Sequence, residues 1–299
     1  MYFTIGGRRV QSGLYRVTYV GDEATDPVRT EPSKSKDREA RHALEAFHGK
    51  QDPTAIDTAW PYLSHKDRFI RTAARTAVEH QPTDTWADKA LTEPAPAKQV
   101  EALLALSRVA GVCPQHRTDQ TPPVDTQLRD RLLTALAAID TAKLNHDQQL
   151  TLVRTTQIAL NRFGQPSDAI VKQLIDSLDP LFPAKSADLN WLLCETLAWL
   201  QAPGTAEKSM ALIAAAPAQE EQMQYARSIR LLKTGWTPEL RTAYFEWFLK
   251  AANYRGGASF ETFIKFIRDD AVASLTDAEK ESMKDLLAKK AERKSALEN

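Results

Sequence analysis

Two side chains of metal-ligand type stand close together in the segment from Cys113 to His116. A thiolate and an imidazole at this spacing supply half of a tetrahedral zinc site, which requires a second pair of ligands. No second pair follows nearby, and the only other cysteine, Cys194, is far along the chain. We therefore interpret this segment as an ordinary loop and predict no metal site.

The remaining candidates for catalysis or cofactor binding are equally incomplete. None of the six histidines stands four residues from another, as a His-Glu-x-x-His helix requires. Asp269 and Asp270 are adjacent, so on a helix they point about 100° apart and cannot act as a facing acid/base pair. The glycine pairs at 6–7 and 256–257 match no dinucleotide-binding or phosphate-binding loop. We predict no catalytic residue, no cofactor and no enzyme activity for the chain by itself.

The overall charge balance bears on the class of partner. The chain has 39 basic and 39 acidic residues and a formal net charge of zero, so no net field attracts nucleic acid or an anionic membrane surface. No run of about 18 apolar residues occurs, which predicts no membrane insertion. Hydrophobic residues make up 42% and charged residues 26%, as in folded globular proteins. The expected partners are proteins or neighbouring domains.

The elements that would position any site begin with two short strands. Residues 2–5 and 14–20 are rich in β-branched and aromatic side chains, and glycines lie between them. We predict a β-hairpin over residues 1–20, either docked on the helices or left over from a larger sheet such as a β-propeller blade. Residues 21–35 contain Pro27 and Pro32 and are predicted to be a linker.

The rest of the chain has the pattern of amphipathic helices. Apolar residues recur at helical spacing in three clear stripes, which are Leu128, Leu132, Leu133, Leu136 and Ile139; Ile170, Val171, Leu174, Ile175, Leu178 and Leu181; and Phe260, Phe263, Ile264 and Ile267. Helix-start signals occur at Asp52, Thr237 and Thr276. The helix pairs repeat about every 40 residues, as in HEAT and armadillo arrays. We predict an all-α, right-handed HEAT-like α-solenoid of about six helix pairs over residues 36–275, and a C-terminal capping helix and tail over residues 276–299.

One stretch is typical of a HEAT unit. Asp67 lies where the turn between two helices is expected, and Arg71 follows near the start of the second helix, before small residues. The two side chains are four residues apart and can pair across one helical turn. We interpret Asp67 and Arg71 as structural residues of the repeat.

The densest aromatic group lies near residues 236–254 and includes Trp236 and Tyr254. Together with Arg255, these are residue types that dominate the energetics of protein interfaces. We predict a candidate interface at Trp236, Tyr254 and Arg255. The glycine pair at 256–257 is expected to break the helix that follows Trp236 and carries Tyr244, Phe245, Trp247, Phe248 and Tyr254, and Ser259 is expected to cap the next one.

Several segments resemble the middle region of planctomycete-type membrane-bound dehydrogenase-like proteins, which are also described as haem-binding proteins with a Cys-x-x-Cys-His motif. The segments are Gly6-Gly7-Arg8, Gly13-Leu14-Tyr15-Arg16-Val17-Thr18-Tyr19, Ala59-Trp60-Pro61, Asp67-Arg68-Phe69-Ile70-Arg71 and Tyr254-Arg255-Gly256-Gly257-Ala258-Ser259-Phe260. The resemblance covers essentially the whole chain. It implies the last strands of a sugar-dehydrogenase-like β-propeller, a HEAT-like helical region and a following cytochrome c-like domain. This sequence has no Cys-x-x-Cys-His, so the family's redox chemistry is carried onto none of its residues.

Two functions follow as expectations. The first is a non-catalytic α-solenoid scaffold or domain-spacing module for protein or domain interaction. The alternative is a fragment of an exported sugar-dehydrogenase-like haem protein that links a β-propeller to a cytochrome c-like domain. The first residues lack the layout of a signal peptide, which indicates a cytoplasmic location by default, whereas the resemblance implies a periplasmic or exported one.

Overall fold

The computed structural model describes residues 1–7, 10–27, 35–257 and 259–291. Within these ranges the chain forms one two-stranded sheet and fifteen α-helices, with short 3₁₀ turns between several of them. The predicted combination of a mostly helical chain and an N-terminal hairpin is confirmed. The helices are α1 (Lys36–Glu45), α2 (Ala55–Ala59), α3 (Arg68–Glu79), α4 (Ala87–Leu91), α5 (Pro96–Ala110), α6 (Thr126–Ala137), α7 (His146–Phe163), α8 (Asp168–Leu178), α9 (Ala187–Trp199), α10 (Thr205–Ala215), α11 (Gln219–Ser228), α12 (Pro238–Ala251), α13 (Phe260–Ala273), α14 (Asp277–Ser282) and α15 (Lys284–Ala288).

The hairpin consists of strands β1 (Tyr2–Gly7) and β2 (Val10–Arg16), which pair antiparallel. Phe3 lies opposite Tyr15, and their rings stack with centroids 5.4 Å apart. The second strand begins and ends earlier than the predicted 14–20. The β-branched and aromatic residues of 14–20 favour an extended chain. However, β2 ends where β1 has no more residues to pair with, and the last hydrogen bonds of the hairpin join Met1 to Val17. Most of the hairpin's aromatic and aliphatic side chains are exposed.

Helix starts follow the capping residues seen in the sequence. Asp125 caps α6 by accepting a hydrogen bond from the amide of Leu128, and Thr237 caps α12. Thr276 forms the predicted capping box with Glu279 at the start of α14. Asp52 does not cap a helix directly. Its carboxylate accepts a hydrogen bond from the amide of Thr54 in the turn before α2, and the helix begins at Ala55. These bonds satisfy amide groups that have no partner within the helix.

The helices divide into two compact units, and the first comprises the described residues of Pro32–Leu200. In this unit α1 packs against α3, α3 against α5, α5 against α7 and α7 against α9. A parallel series joins α4 to α6 and α6 to α8. One continuous apolar cluster runs through the unit and includes Leu63, Leu103, Leu132 and Leu174, all fully buried. Each such leucine contributes roughly 1.5–3 kcal/mol of burial free energy.

The second unit comprises the described residues of Gln201–Asn299 together with those of Met1–Glu31. Here α10 packs against α11 and α12, and α12 packs against α13 and α15. Its core contains an aromatic group, in which the ring of Tyr244 lies 5.1 Å from that of Phe248. The boundary at residue 200 lies inside the segment predicted as one solenoid, and both the solenoid and its handedness stay predictions.

Several finer expectations are corrected or fall outside the described part. The helix carrying the aromatics, α12, ends at Ala251, so Tyr254 lies after the helix and not within it. Ser259 makes no side-chain capping bond to α13. The predicted capping helix is two short helices, α14 and α15, and residues 292–299 of the predicted tail lie outside the described residues, as do residues 28–34 of the predicted linker. No helix in the described ranges combines the length and apolar character needed to cross a bilayer.

Candidate interaction surfaces

Asp67 positions the start of α3, as its place in the sequence suggests. Its Oδ1 atom accepts hydrogen bonds from the amides of Ile70 at 3.2 Å and Phe69 at 2.7 Å. These backbone bonds lower the pKa of the Asp67 carboxyl, because they stabilise its charged form. The carboxylate therefore caps the helix and, among the described contacts, forms no ion pair with Arg71.

Arg71 instead ties α3 to the preceding turn and to the next helix in the series. Its Nη1 atom donates to the carbonyl oxygens of His65 at 2.8 Å and Lys66 at 3.0 Å. Its Nε atom lies 3.4 Å from Glu101 Oε1 on α5. The two residues predicted as structural thus act separately, Asp67 within the helix and Arg71 between helices.

A ladder of charges links α3 and α5. Glu101 has a side chain only 10% exposed, and it faces both Arg71 and Arg75, whose Nη1 atom donates at 2.9 Å. Farther along the same helices, Arg108 Nε donates to Glu79 Oε1 at 2.7 Å. Buried carboxylates are tolerated when cations and hydrogen bonds compensate their lost hydration. The ladder therefore fixes how α3 lies against α5.

Arg162 of α7 continues this connection to the end of α5. Its Nη1 atom donates to the carbonyl oxygens of Arg108 at 2.6 Å and Gly111 at 2.7 Å. Carbonyls at a helix end have no partner within the helix, so a guanidinium is well suited to them. Polar side chains of α3, α5 and α7 thus bond these neighbouring helices to one another.

A cavity of about 230 Å³ opens between α7 and α9. We call it the α7/α9 pocket, and it is lined by Gln157, Leu160, Asn161, Glu195, Thr196 and Trp199. Glu195 and Trp199 are four residues apart on α9, so they project on the same side of the helix. Trp199 is 46% exposed, whereas tryptophan residues are highly buried on average in folded proteins.

Hydrogen bonds hold the floor of the α7/α9 pocket in place. Gln157 Nε2 donates to Thr196 Oγ1 at 3.0 Å and to Glu195 Oε2 at 3.3 Å. The hydroxyl of Thr196 donates to the carbonyl of Leu192 at 2.7 Å. Gln157 Oε1 accepts from Arg154 Nη1 at 2.7 Å. The amide of Gln157 is therefore fully used by protein partners.

The carboxylate of Glu195 has no counter-ion among the described residues. Among the described residues no Lys, Arg or His forms an ion pair with it, and no basic residue lines the pocket. The nearest described link to a cation passes through the Gln157 amide to Arg154. The pocket therefore combines an exposed aromatic wall with a carboxylate that lacks a counter-ion.

The predicted interface residues of the second unit are placed differently from one another. Trp236 is half-buried, with its indole N–H donating to the carbonyl of Leu232 at 2.8 Å and the Arg241 guanidinium 4.2 Å from its ring. The hydroxyl of Tyr254 donates to Gln222, and burial raises the pKa of that hydroxyl. Arg255 is exposed. Of the three, Arg255 offers the most free surface, and the interface stays a prediction.

Cys113, one of the metal-type residues in the sequence, contacts α7. Cys113 Sγ is 3.9 Å from the amide nitrogen of Asn161. Across the described ranges, no three His, Cys, Asp or Glu side chains come together as a metal ion would require.

Comparison with known proteins does not place the chain in a family. No protein-family model, curated protein or solved structure matches it. Function must therefore be inferred from the chain's own residues. Among these, the α7/α9 pocket was not predicted from the sequence, although the helical spacing of Glu195 and Trp199 was a usable signal.

Proposed function

We propose that the chain is a non-catalytic HEAT-like α-solenoid scaffold that holds protein partners or neighbouring domains in a fixed relation. The observation that carries the proposal is the contact series α1, α3, α5, α7, α9, in which each helix packs against the next but one along the chain. The second series, α4, α6 and α8, has the same character. Two such layers are what stacked helix pairs produce, and stacked repeats present extended surfaces for binding.

The polar contacts between layers support a scaffold role. The ladder between α3 and α5 and the bonds from Arg162 to the end of α5 connect successive helices of one series. Charged groups that are committed to each other in this way define geometry and leave little capacity for proton transfer. They favour a rigid support over a reactive centre.

The alternative proposal is that the chain belongs to an exported sugar-dehydrogenase-like haem protein, in which it spaces a β-propeller from a cytochrome c-like domain. The hairpin is the observation that favours it. Two-stranded hairpins are marginally stable in water, yet Tyr2 and Leu14 are largely exposed on this one. A neighbouring sheet would cover these side chains and pair the free strand edges.

The coding sequence on both sides of this segment discriminates between the two proposals. Propeller strands upstream and a Cys-x-x-Cys-His motif downstream support the haem protein, whereas their absence refutes it. The encoded neighbouring domains can then be expressed separately and titrated onto this chain by calorimetry. If the predicted interface is used, Arg255→Glu weakens binding about tenfold or more, as expected at an interface hot spot. The exposed Lys172→Ala is the matched control, and equal binding by both variants refutes docking at Arg255.

A further inference from the structure

We infer that the α7/α9 pocket binds the guanidinium group of an arginine on a partner protein segment. The inference rests on the proposed scaffold role and names the chemistry that one part of its surface recognises. Three observations carry it: the exposed indole of Trp199, the unpaired carboxylate of Glu195 and a cavity of about 230 Å³ between them and α7.

Two oxygens that can accept hydrogen bonds are left free in the pocket, one on Glu195 and one on Asn161. The amide nitrogen of Gln157 donates to Thr196, Glu195 and Leu192, and the hydroxyl of Thr196 donates to Leu192. Glu195 Oε1 has no hydrogen-bond partner among the described residues. The Oδ1 atom of Asn161 is likewise without a described partner, since only its amide nitrogen makes a contact. A ligand that only donates hydrogen bonds fits such a set.

The charge of the pocket excludes most other occupants. A phosphate or carboxylate would be repelled by Glu195, and an aliphatic side chain would strip water from that carboxylate without replacing its bonds. A single carboxylate is too few ligands for Ca²⁺, which takes six to eight oxygens. A cationic side chain both neutralises Glu195 and lies against the aromatic face of Trp199.

Arginine matches the geometry better than lysine does. Its guanidinium is planar, so it can stack on an indole while its N–H groups reach a carboxylate in the same plane. Glu195 and Trp199 stand one helical turn apart on α9, which presents both interactions to one group. Arg154, held on Gln157 at the edge of the pocket, weakens the negative potential and so limits the affinity.

The test uses the full chain labelled with 5-fluorotryptophan. The six tryptophans give six ¹⁹F resonances, and Trp199→Phe identifies the one from the pocket. The probe is the capped tripeptide acetyl-Gly-Arg-Gly-amide, compared with the citrulline peptide of the same shape without charge and with the lysine peptide. The arginine peptide is expected to shift the Trp199 resonance saturably and about tenfold more tightly than the citrulline peptide, with lysine intermediate.

Variants make the result decisive. Glu195→Gln is expected to lower the affinity for the arginine peptide about tenfold, because it removes the charge from the hydrogen bonds. Glu207→Gln, an exposed carboxylate on α10, is the control and leaves the affinity unchanged. Arg154→Gln is expected to raise the affinity, and added salt to lower it.

The inference is overturned if the citrulline or lysine peptide binds as tightly as the arginine peptide, if Glu195→Gln has no effect, or if the shifts occur only at other tryptophans. Such a failure would be confined to the pocket, because binding of the neighbouring domains and its dependence on Arg255 are measured separately. If neither the arginine peptide nor the neighbouring domains bind, the scaffold role itself is refuted.

Discussion

Glu101→Gln is the substitution that tests most sharply how α3 and α5 are held together. It keeps the shape of the side chain and removes only its charge, which is shared by Arg71 at 3.4 Å and Arg75 at 2.9 Å. A hydrogen bond to a charged group contributes about 1.5–3 kcal/mol, and breaking a fully buried ion pair costs about 3–5 kcal/mol. The carboxylate is almost completely buried, which favours the upper values.

The two arginines reduce this cost because they are less buried than Glu101. Their side chains are 25% and 18% exposed, so water can rehydrate them in part. Arg71 also keeps its two backbone carbonyls, and Arg75 keeps a contact to Glu79. We therefore expect Glu101→Gln to lower the free energy of unfolding by about 2 kcal/mol, since two strong contacts are weakened and neither arginine is left without a partner.

The assay is urea unfolding followed by circular dichroism and tryptophan fluorescence, because guanidinium salts would screen the charges. A loss of about 2 kcal/mol corresponds to a fall in Tm of about 4–8 °C for a unit of this size. Asp176→Asn is the matched control, since it removes a pair with Lys172 in which both side chains are largely exposed, and it is expected to cost less than about 0.5 kcal/mol. In a double-mutant cycle with Arg75→Gln, the coupling energy should be about 1 kcal/mol or more. Equal effects of Glu101→Gln and Asp176→Asn, with no coupling to Arg75, would refute this reasoning.

Three further predictions concern the second unit. Thr237→Ala removes the N-cap of α12 and should cost about 1 kcal/mol in urea unfolding, whereas Thr237→Ser should cost little; equal losses would contradict the capping role. Gly235→Ala should destabilise by more than about 1 kcal/mol, because φ is +73° and an added Cβ would lie 1.8 Å from the carbonyl oxygen of Pro203; an unchanged Tm would refute this. Burial raises the pKa of Glu279, but bonds from its capping partner and from Arg241 at 3.0 Å outweigh this and lower it below 4.5. Glu279 therefore contributes to stability above pH 4.5, and this contribution is lost as the pH falls through its lower pKa in the folded protein. We expect Glu279→Gln to make Tm less dependent on pH on the acid side. An unchanged dependence of Tm on pH would count against the pair of Glu279 and Arg241.

The extent to which the fold is predictable from sequence follows from the range of the interactions involved. The leucine stripe from Leu128 predicts α6, and Thr237 predicts the start of α12, since helical periodicity and capping are local properties. The hairpin is predictable for the same reason. The end of β2 is not, because it depends on where the partner strand runs out, and the end of α12 before Tyr254 depends on contacts with α11.

The candidate sites depend even more on the difference between local contacts and contacts between distant segments of the chain. Asp67 is predictable as a structural residue because its bonds are to amides of the next few residues. The partner of Arg71 is not, since Glu101 is brought to it only by the packing of α5 on α3. The α7/α9 pocket joins Gln157 to Glu195 across two helices, and no spacing along the chain reveals that contact.

The central proposal is that successive helices of the first unit stack in order. Double electron–electron resonance, which measures distances between spin labels, can test it. Cys113→Ser and Cys194→Ala remove the native thiols, and labels are placed in pairs at Thr72 on α3, Arg154 on α7 and Glu195 on α9. Neighbouring packed helices lie about 8–10 Å apart, so two steps from α3 to α7 give about 16–20 Å between axes and three steps to α9 give about 24–30 Å. A distance from Thr72 to Glu195 that clearly exceeds the distance from Thr72 to Arg154 is the predicted result. A distance to Glu195 equal to or shorter than that to Arg154 would mean that the helices close into a bundle, and it would contradict the solenoid.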